Sequence, residues 1–151
     1  MKKILVPVDG SQASEKAAMK AIEIARDYNS EITYLSVADV RGKYAYMGDG
    51  VVSVPINHSQ ISAMLVENQT KMLDAFASIV DSKGINIEKK VAAGVPYEEI
   101  LKYAADNKAD LIVMSRRGFT KFKRFFVGSV TQRVISDAPC PVLVINEDEE
   151  K

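Results

Sequence analysis

Short apolar stretches alternate along the chain with longer segments of helical periodicity. Four of these stretches, residues 4–8, 32–37, 111–114 and 142–145, are almost continuously apolar. Such runs are typical of parallel strands that are buried on both faces of a sheet. A fifth stretch, 85–93, alternates apolar with charged positions, and we therefore expect it to lie nearer an edge.

Apolar residues spaced three and four apart predict four helices between the strands. The helices cover about residues 12–28, 59–80, 97–107 and 129–136, with Ser11 as the N-cap of the first. The residues expected on their buried faces are Ala18, Ile22, Ala25 and Tyr28 in the first helix, Leu65, Met72, Phe76 and Ile79 in the second, Tyr97, Ile100, Leu101 and Ala104 in the third, and Val130, Val134 and Ile135 in the fourth.

The order of these elements predicts an α/β fold. Strands that alternate with helices form right-handed crossovers, which here would give a five-stranded, doubly wound parallel sheet with helices on both faces. No linker or internal repeat divides the chain, so we expect residues 1–151 to form a single domain. The long irregular segment 38–58 is expected to be a mobile flap or a partner surface.

Composition and charge narrow the class of protein. Lys and Arg total 20, Asp and Glu total 20, and the formal net charge is zero, which argues against a general nucleic-acid or membrane-surface binder. A hydrophobic content of 47% excludes disorder over most of the chain. The single cysteine, Cys140, and the lack of a signal peptide or membrane span favour a cytoplasmic protein.

The charges are unevenly distributed. Residues 111–136 include no acidic residue but six cations, so one local cationic segment lies inside a neutral chain. Its basic residues Lys121, Lys123 and Arg124 are interleaved with phenylalanines. That arrangement is compatible with nucleic-acid contact, with a partner-binding segment, or with a loop whose aromatic rings anchor it to the core.

Candidate binding chemistry follows the ends of the first and fourth strands. Ligands of open α/β sheets bind beyond the carboxyl ends of the strands, where the strand order reverses. Gly128 lets backbone amides approach a ligand, and Ser129 and Thr131 add hydroxyl donors at the positive end of the last helix. Asp9, after the first strand, is an acceptor for a ribose hydroxyl or a ligand for Mg²⁺.

The residues alone leave a simpler interpretation equally open. Gly118, which can adopt backbone angles closed to other residues, can be a turn residue, residues 128–129 an ordinary helix start, and Asp9 a cap. Neither GxxxxGK[ST] nor GxGxxG occurs in the chain. His58 is interpreted as a solvated loop histidine and Cys140 as structural. Asp39, Asp49 and Asp110 are interpreted as turn and cap residues.

The chain resembles the universal stress protein family in motifs that span essentially its whole length. They are VPVDGS at 6–11, MSRRG at 114–118, KR at 123–124 ahead of GSV at 128–130, and APCPVLV at 138–144. The resemblance implies a small cytoplasmic α/β protein with strand order 3-2-1-4-5. One branch of that family binds ATP through a G-2x-G-9x-G-(S/T) signature, and another branch lacks it.

This chain matches the signature at every fixed position but the first, where Ser115 replaces glycine. If position 115 requires a positive φ, the serine costs about 1 kcal/mol. The ATP contacts that the resemblance implies are Pro7, Val8 and Asp9 after the first strand, Val37 at the end of the second for the adenine, and Ser115, Arg117, Gly118, Gly128, Ser129, Val130 and Thr131 around the ribose and phosphates. Mg²⁺ would accompany ATP, with Asp9 as an indirect ligand.

The resemblance also implies a homodimer, because the last strands of family members pair across the dimer. Here that strand lies between Pro141 and Ile145, and its apolar edge would otherwise be an aggregation liability. The sequence therefore predicts a cytoplasmic ATP-binding stress-response or signalling module with at most weak ATP hydrolysis. The alternative is a protein-interaction module of the same fold that uses residues 38–58 and 116–126 and binds no nucleotide.

Overall fold

The structure is a computed structural model, and it describes residues 1–41, 46–47, 50–51, 58–118 and 127–146. The elements within these ranges are, in chain order, β1 (Lys3–Pro7), α1 (Gln12–Tyr28), β2 (Glu31–Asp39), β3 (Tyr46–Met47), β4 (Gly50–Val51), α2 (His58–Ile79), β5 (Ile87–Gly94), α3 (Pro96–Asp106), β6 (Leu111–Ser115), α4 (Ser129–Asp137) and β7 (Val142–Ile145).

Five of the strands form one parallel sheet in the order β5-β2-β1-β6-β7. Counted along the chain within this sheet, the order is 3-2-1-4-5, which confirms the predicted α/β fold and strand order. In the register of the central strands, Ile4 lies opposite both Ile32 and Leu111. The alternating strand β5 lies at an edge, as its mixed pattern predicts.

The segment expected to be irregular contains two paired strands. β3 and β4 pair antiparallel, with Tyr46 opposite Val51 and Met47 opposite Gly50. The helix that follows begins at His58, so that residue belongs to the start of α2 and not to a loop. The remainder of the segment, and with it the flap or partner surface expected there, lies mostly outside the described residues.

Side chains that alternate along the strands build a core on each face of the sheet. On one face, Ile4 and Val6 pack with residues of α1 and α2. On the other face, Leu5 and Ile112 pack with residues of α3 and α4. Tyr34 is fully buried on the α1–α2 face, and this burial raises the pKa of its phenol to about 12, so the ring is neutral at physiological pH.

Three residues expected on buried helix faces are exposed. Leu73 and Phe76 of α2 form a buried row with Val80, the residue that follows the helix. Ile79 lies about 100° around the helix axis from that row and is 67% exposed. Tyr28 is the last residue of α1 and is 61% exposed. Ile135, at 50% exposed, lies beside the buried Val134 in α4.

None of the helices in the described ranges is long and apolar enough to cross a membrane.

Candidate functional site

A cavity of about 500 Å³ opens at the carboxyl ends of β1, β2 and β6. β1 has β2 on one side and β6 on the other, so the strand order reverses at this point of the sheet. The last residues that pair between β1 and β2 are Pro7 and Leu35. Beyond them β1 leaves the sheet, while β2 continues to Asp39. The departure of β1 leaves room beside the end of β2, where doubly wound sheets place their ligands.

All eleven residues that the family resemblance implies as ligand contacts line this cavity. They are Pro7, Val8, Asp9, Val37, Ser115, Arg117, Gly118, Gly128, Ser129, Val130 and Thr131. The structure thus brings together residues from the first half and the last third of the chain.

Five further lining residues were missed by the sequence analysis: Leu35, Gln69, Pro96, Ile100 and Met114. Two of them had a signal in the sequence. Leu35 lies two residues before Val37 and therefore on the same face of the strand, and Met114 directly precedes Ser115. Pro96 follows the carboxyl end of β5. Gln69 lies in the middle of α2, and nothing in the local sequence indicates that it reaches the cavity.

The cavity has two ends of different composition. The α4 end consists of Ser115, Arg117, Gly118 and residues 128–131, from the end of β6 and the start of α4. The β2 end consists of Leu35, Val37, Gln69, Pro96 and Ile100, from β2, α2 and α3. The first end is rich in glycine and hydroxyl side chains, whereas the second is mainly apolar.

Asp9 is held in place by the turn that follows β1. Its Oδ1 accepts hydrogen bonds from the backbone N–H of Ser11 at 2.9 Å and from the Ser11 hydroxyl at 2.5 Å. Ser11 is also the predicted N-cap of α1, because its side chain accepts from the N–H of Ser14. The same serine therefore begins the helix and orients the carboxylate.

Gly118 is a glycine because Asp9 occupies the space beside it. A Cβ atom at position 118 would lie 2.1 Å from Oδ2 of Asp9, which is well inside van der Waals contact. Its φ lies outside the positive range, so it does not use the backbone angles that are open to glycine and closed to other residues. Close approach of the carboxylate, and not backbone conformation, excludes a side chain.

Ser115 ends β6 with an ordinary strand conformation. It is 9% exposed and does not have a positive φ, so the serine at this position of the motif causes no backbone strain. Its carbonyl accepts a hydrogen bond of 2.9 Å from the hydroxyl of Thr131. That hydroxyl therefore donates within the protein and joins α4 to the end of β6, although we expected it to face a ligand.

The start of α4 presents backbone donors to the cavity. Gly128 is its N-cap, and no side chain in the described part of the chain caps the helix there. The first N–H groups of a helix have no partner within it, and they lie at the positive end of its dipole. In α4 these groups belong to residues 129–131, which line the cavity, and this arrangement suits an anion such as phosphate.

Gly128 differs from Gly118 in what surrounds it. Its φ is −57°, which any residue adopts, and among the described residues the atom nearest to an added Cβ would be the Cα of Arg117, at 3.4 Å. That distance is an ordinary van der Waals contact, so the fold would accept a side chain at this position. Its N–H donates to the carbonyl of Arg116 at 2.9 Å, which closes the end of the loop onto β6.

The remaining candidate residues have structural roles where the structure describes them. The carboxylate of Asp39 is bound by Arg41 at 2.7 Å, which lowers the pKa of Asp39. Asp110 accepts hydrogen bonds from the backbone N–H groups of Lys2 and Lys3, and these lower its pKa. Burial raises the pKa of the Cys140 thiol, which is consistent with an unreactive cysteine.

Several sequence candidates lie outside the described residues. These are Asp49, the basic-aromatic residues 119–126, and the acidic tail from position 147 onward. In the described ranges, no three His, Cys, Asp or Glu side chains are grouped closely enough to hold a metal ion.

Comparison with known proteins finds similarity over nearly the whole chain. The family model for the universal stress protein family matches residues 1–146. A universal stress protein of Methanocaldococcus jannaschii is 36% identical over 150 residues, which cover 99% of this chain and 85% of that protein. The structure of the universal stress protein UspA from Lactobacillus plantarum matches with a TM-score of 0.69 at 30% identity, covering 95% of this chain and 97% of that one.

Two more distant neighbours were solved with nucleotides. A universal stress protein in complex with cAMP matches with a TM-score of 0.69 at 19% identity, covering 95% of this chain and 96% of that one. A universal stress protein family member from Arabidopsis thaliana with AMP bound matches with a TM-score of 0.67 at 18% identity, covering 99% and 94%. At these identities the likeness establishes a shared fold.

Proposed function

The chain belongs to the universal stress protein family, and we propose that it binds ATP in the cavity at the carboxyl ends of β1 and β6. The observation that carries the proposal is the convergence of Asp9, Gly118 and the uncapped start of α4 on one cavity. An anion-binding helix start beside a fixed carboxylate suits the phosphates and ribose of a nucleotide. The nucleotides in the two distant neighbours support the same class of ligand.

The α4 end would hold the phosphates. The N–H groups of residues 129–131 and the hydroxyl of Ser129 are donors for phosphate oxygens, and Arg117 adds a positive charge. Gly128 leaves the space through which a phosphate approaches these groups. This use explains a glycine that neither φ nor packing requires.

The ribose would lie at Asp9, and the base would lie at the β2 end. Oδ1 of Asp9 is bound by Ser11, which leaves Oδ2 as the acceptor for a ribose hydroxyl. Apolar side chains at the β2 end suit the faces of an aromatic ring. Mg²⁺ would enter with ATP, where it would neutralise part of the charge on the phosphates, with Asp9 as its nearest carboxylate.

In this proposal the protein is a cytoplasmic, homodimeric module of the stress response whose interactions depend on bound nucleotide. β7 is an edge strand of the sheet, and the side chain of Leu143 is exposed on it. Pairing of this strand with its copy in a second subunit would cover an apolar edge. Sedimentation equilibrium tests the assembly: a dimer supports it, and a monomer at micromolar concentration contradicts it.

Calorimetric titration of the purified protein with MgATP tests nucleotide binding. We expect saturable binding with Kd below the millimolar range in the native protein. Gly128→Val should abolish detectable binding, because a branched side chain would fill the approach to the first N–H groups of α4. Ser136→Val is the matched control, since Ser136 is an exposed residue of the same helix that does not line the cavity.

Two readouts separate loss of the site from loss of the fold. Both variants should keep native-like circular dichroism and a thermal midpoint close to that of the native protein, since position 128 accepts a side chain. Mass spectrometry of small molecules released from the purified protein provides an independent check. The proposal is refuted if the native protein shows no binding at millimolar MgATP.

A further inference from the structure

One polar side chain reaches into the apolar β2 end of the cavity. Of the lining residues from β2, α2 and α3, four are apolar, and Gln69 alone has a polar side chain. α2 packs on the opposite face of the sheet from α3. Gln69 therefore reaches the cavity past the end of β1, where that strand no longer separates the two faces.

Gln69 is oriented by a buried partner. The hydroxyl of Ser36 donates to its Oε1 at 2.6 Å, and Ser36 is only 1% exposed. Ser36 lies in β2, an interior strand, directly after the last residue that pairs with β1. The hydroxyl is thus held by a rigid strand, and the amide oxygen that it binds is held with it.

With Oε1 bound to Ser36, the amide nitrogen is the polar group of Gln69 that remains for a ligand in the cavity. The glutamine amide has one acceptor oxygen and two N–H donors on Nε2. Gln69 is half-buried and its Nε2 is not a buried atom without a partner, so a ligand that displaces water from Nε2 has to offer an acceptor in place of that water. A purine ring offers acceptors at its ring nitrogens, and its faces suit the aliphatic side chains on either side.

From this geometry we infer that Gln69 is a specificity-determining residue, which donates a hydrogen bond from Nε2 to a ring nitrogen of the purine base. The inference rests on the proposed binding of ATP and states how the base is recognised. Ser36 is the positioning residue, because it fixes which side of the amide faces the base. Ligands without an acceptor at that point would leave the donor unpaired and bind more weakly.

Gln69→Met is the first test, since methionine keeps the length of the side chain and removes the amide. We expect Kd for ATP to rise about fivefold, the effect of one neutral hydrogen bond. Asn68→Met on the same helix is the matched control, because Asn68 is exposed and does not line the cavity. It should bind ATP as the native protein does.

A set of ATP analogues identifies the acceptor without depending on how the variant folds. In 1-deaza, 3-deaza and 7-deaza ATP, one ring nitrogen at a time is replaced by carbon. We expect the native protein to bind one of the three about fivefold more weakly than ATP. Gln69→Met should bind that analogue and ATP equally tightly. Such non-additivity is expected if the Gln69 amide and the replaced ring nitrogen are in contact.

The outcomes distinguish this inference from the proposed function. If the native protein does not bind ATP, both are overturned. Only the role of Gln69 is overturned if the native protein binds ATP, Gln69→Met binds ATP equally tightly, and the native protein binds all three analogues as tightly as ATP. Coupling of Gln69 to the 6-amino group, seen with purine riboside triphosphate, would also overturn it, because the amide oxygen would then face the base.

Discussion

The two ends of the cavity are built in different ways. At the α4 end, the groups offered to a ligand are backbone N–H donors and short side chains, and Gly128 leaves space beside them. At the β2 end they are side chains from three separate elements, among which one amide is held by a buried serine. The α4 end thus suits a negatively charged group that accepts from N–H donors. The β2 end suits a flat group whose shape matches the side chains around it.

The two glycines of the α4 end show the same contrast at the level of single residues. Gly118 is required by the protein itself, because the Asp9 carboxylate lies where its Cβ would be. Gly128 is required by neither its φ nor its neighbours. A glycine that the fold does not need points to something outside the fold, which here is the proposed nucleotide.

Gly118→Ala should have the largest effect on stability, and it should also weaken binding. The added methyl group displaces a carboxylate that Ser11 holds by two hydrogen bonds. We expect the free energy of unfolding to fall by about 2 kcal/mol and ATP affinity to fall about tenfold or more. Chemical denaturation and calorimetry measure the two quantities.

Two comparison variants sharpen that test. Gly128→Ala should change the free energy of unfolding by less than about 1 kcal/mol, since no contact is violated there. Adding Asp9→Ala to Gly118→Ala removes the clash and should recover most of the lost stability, but not the binding. If Gly118→Ala and Gly128→Ala lost equal stability, the conclusion that the fold requires a glycine only at position 118 would be wrong.

Thr131→Val should lower stability while leaving ATP affinity nearly unchanged. The substitution removes the donor to the Ser115 carbonyl and leaves that buried acceptor unsatisfied, which costs about 1.5 kcal/mol. Thr131→Ser keeps the hydroxyl and serves as the control in the same denaturation measurement. An undiminished stability with a large loss of ATP affinity would instead assign the hydroxyl to the ligand.

Ser115→Gly, which completes the family signature, should have the smallest effect. Position 115 has no positive φ, so glycine relieves no strain, and its greater freedom in the unfolded chain costs about 0.5 kcal/mol. We expect Kd for ATP to change by less than about threefold. If binding instead tightens strongly, the serine side chain crowds the ligand, and the α4 end is narrower than its geometry indicates.

Much of the fold could be predicted from local patterns. Continuous apolar runs located four strands of the parallel sheet, and the alternating run located the fifth, the edge strand β5. Errors occurred at Tyr28, Ile79 and Ile135, each of them apolar and exposed. Periodicity places a residue on a helix face, but it does not tell how far the helix extends past the sheet or how it is rotated against it.

The α4 end could be predicted and most of the β2 end could not. The residues of this end between 115 and 131 match most of one family motif, so the family resemblance predicted that they share a site. Gln69 and Ile100 come from two helices on opposite faces of the sheet, and no spacing in the chain relates them. They meet only because β1 ends before β2 does.

By itself, the sequence determined the class of fold, and it predicted a site at the carboxyl ends of the strands with an anion-binding helix start. These properties follow from local hydrophobic patterns and from a short glycine-containing motif. Only the tertiary structure decided why Gly118 is a glycine, that the Thr131 hydroxyl bonds to Ser115, and that Gln69 enters the cavity. Each of these depends on contacts between residues distant in the chain, and such contacts exist only after the sheet and helices have packed.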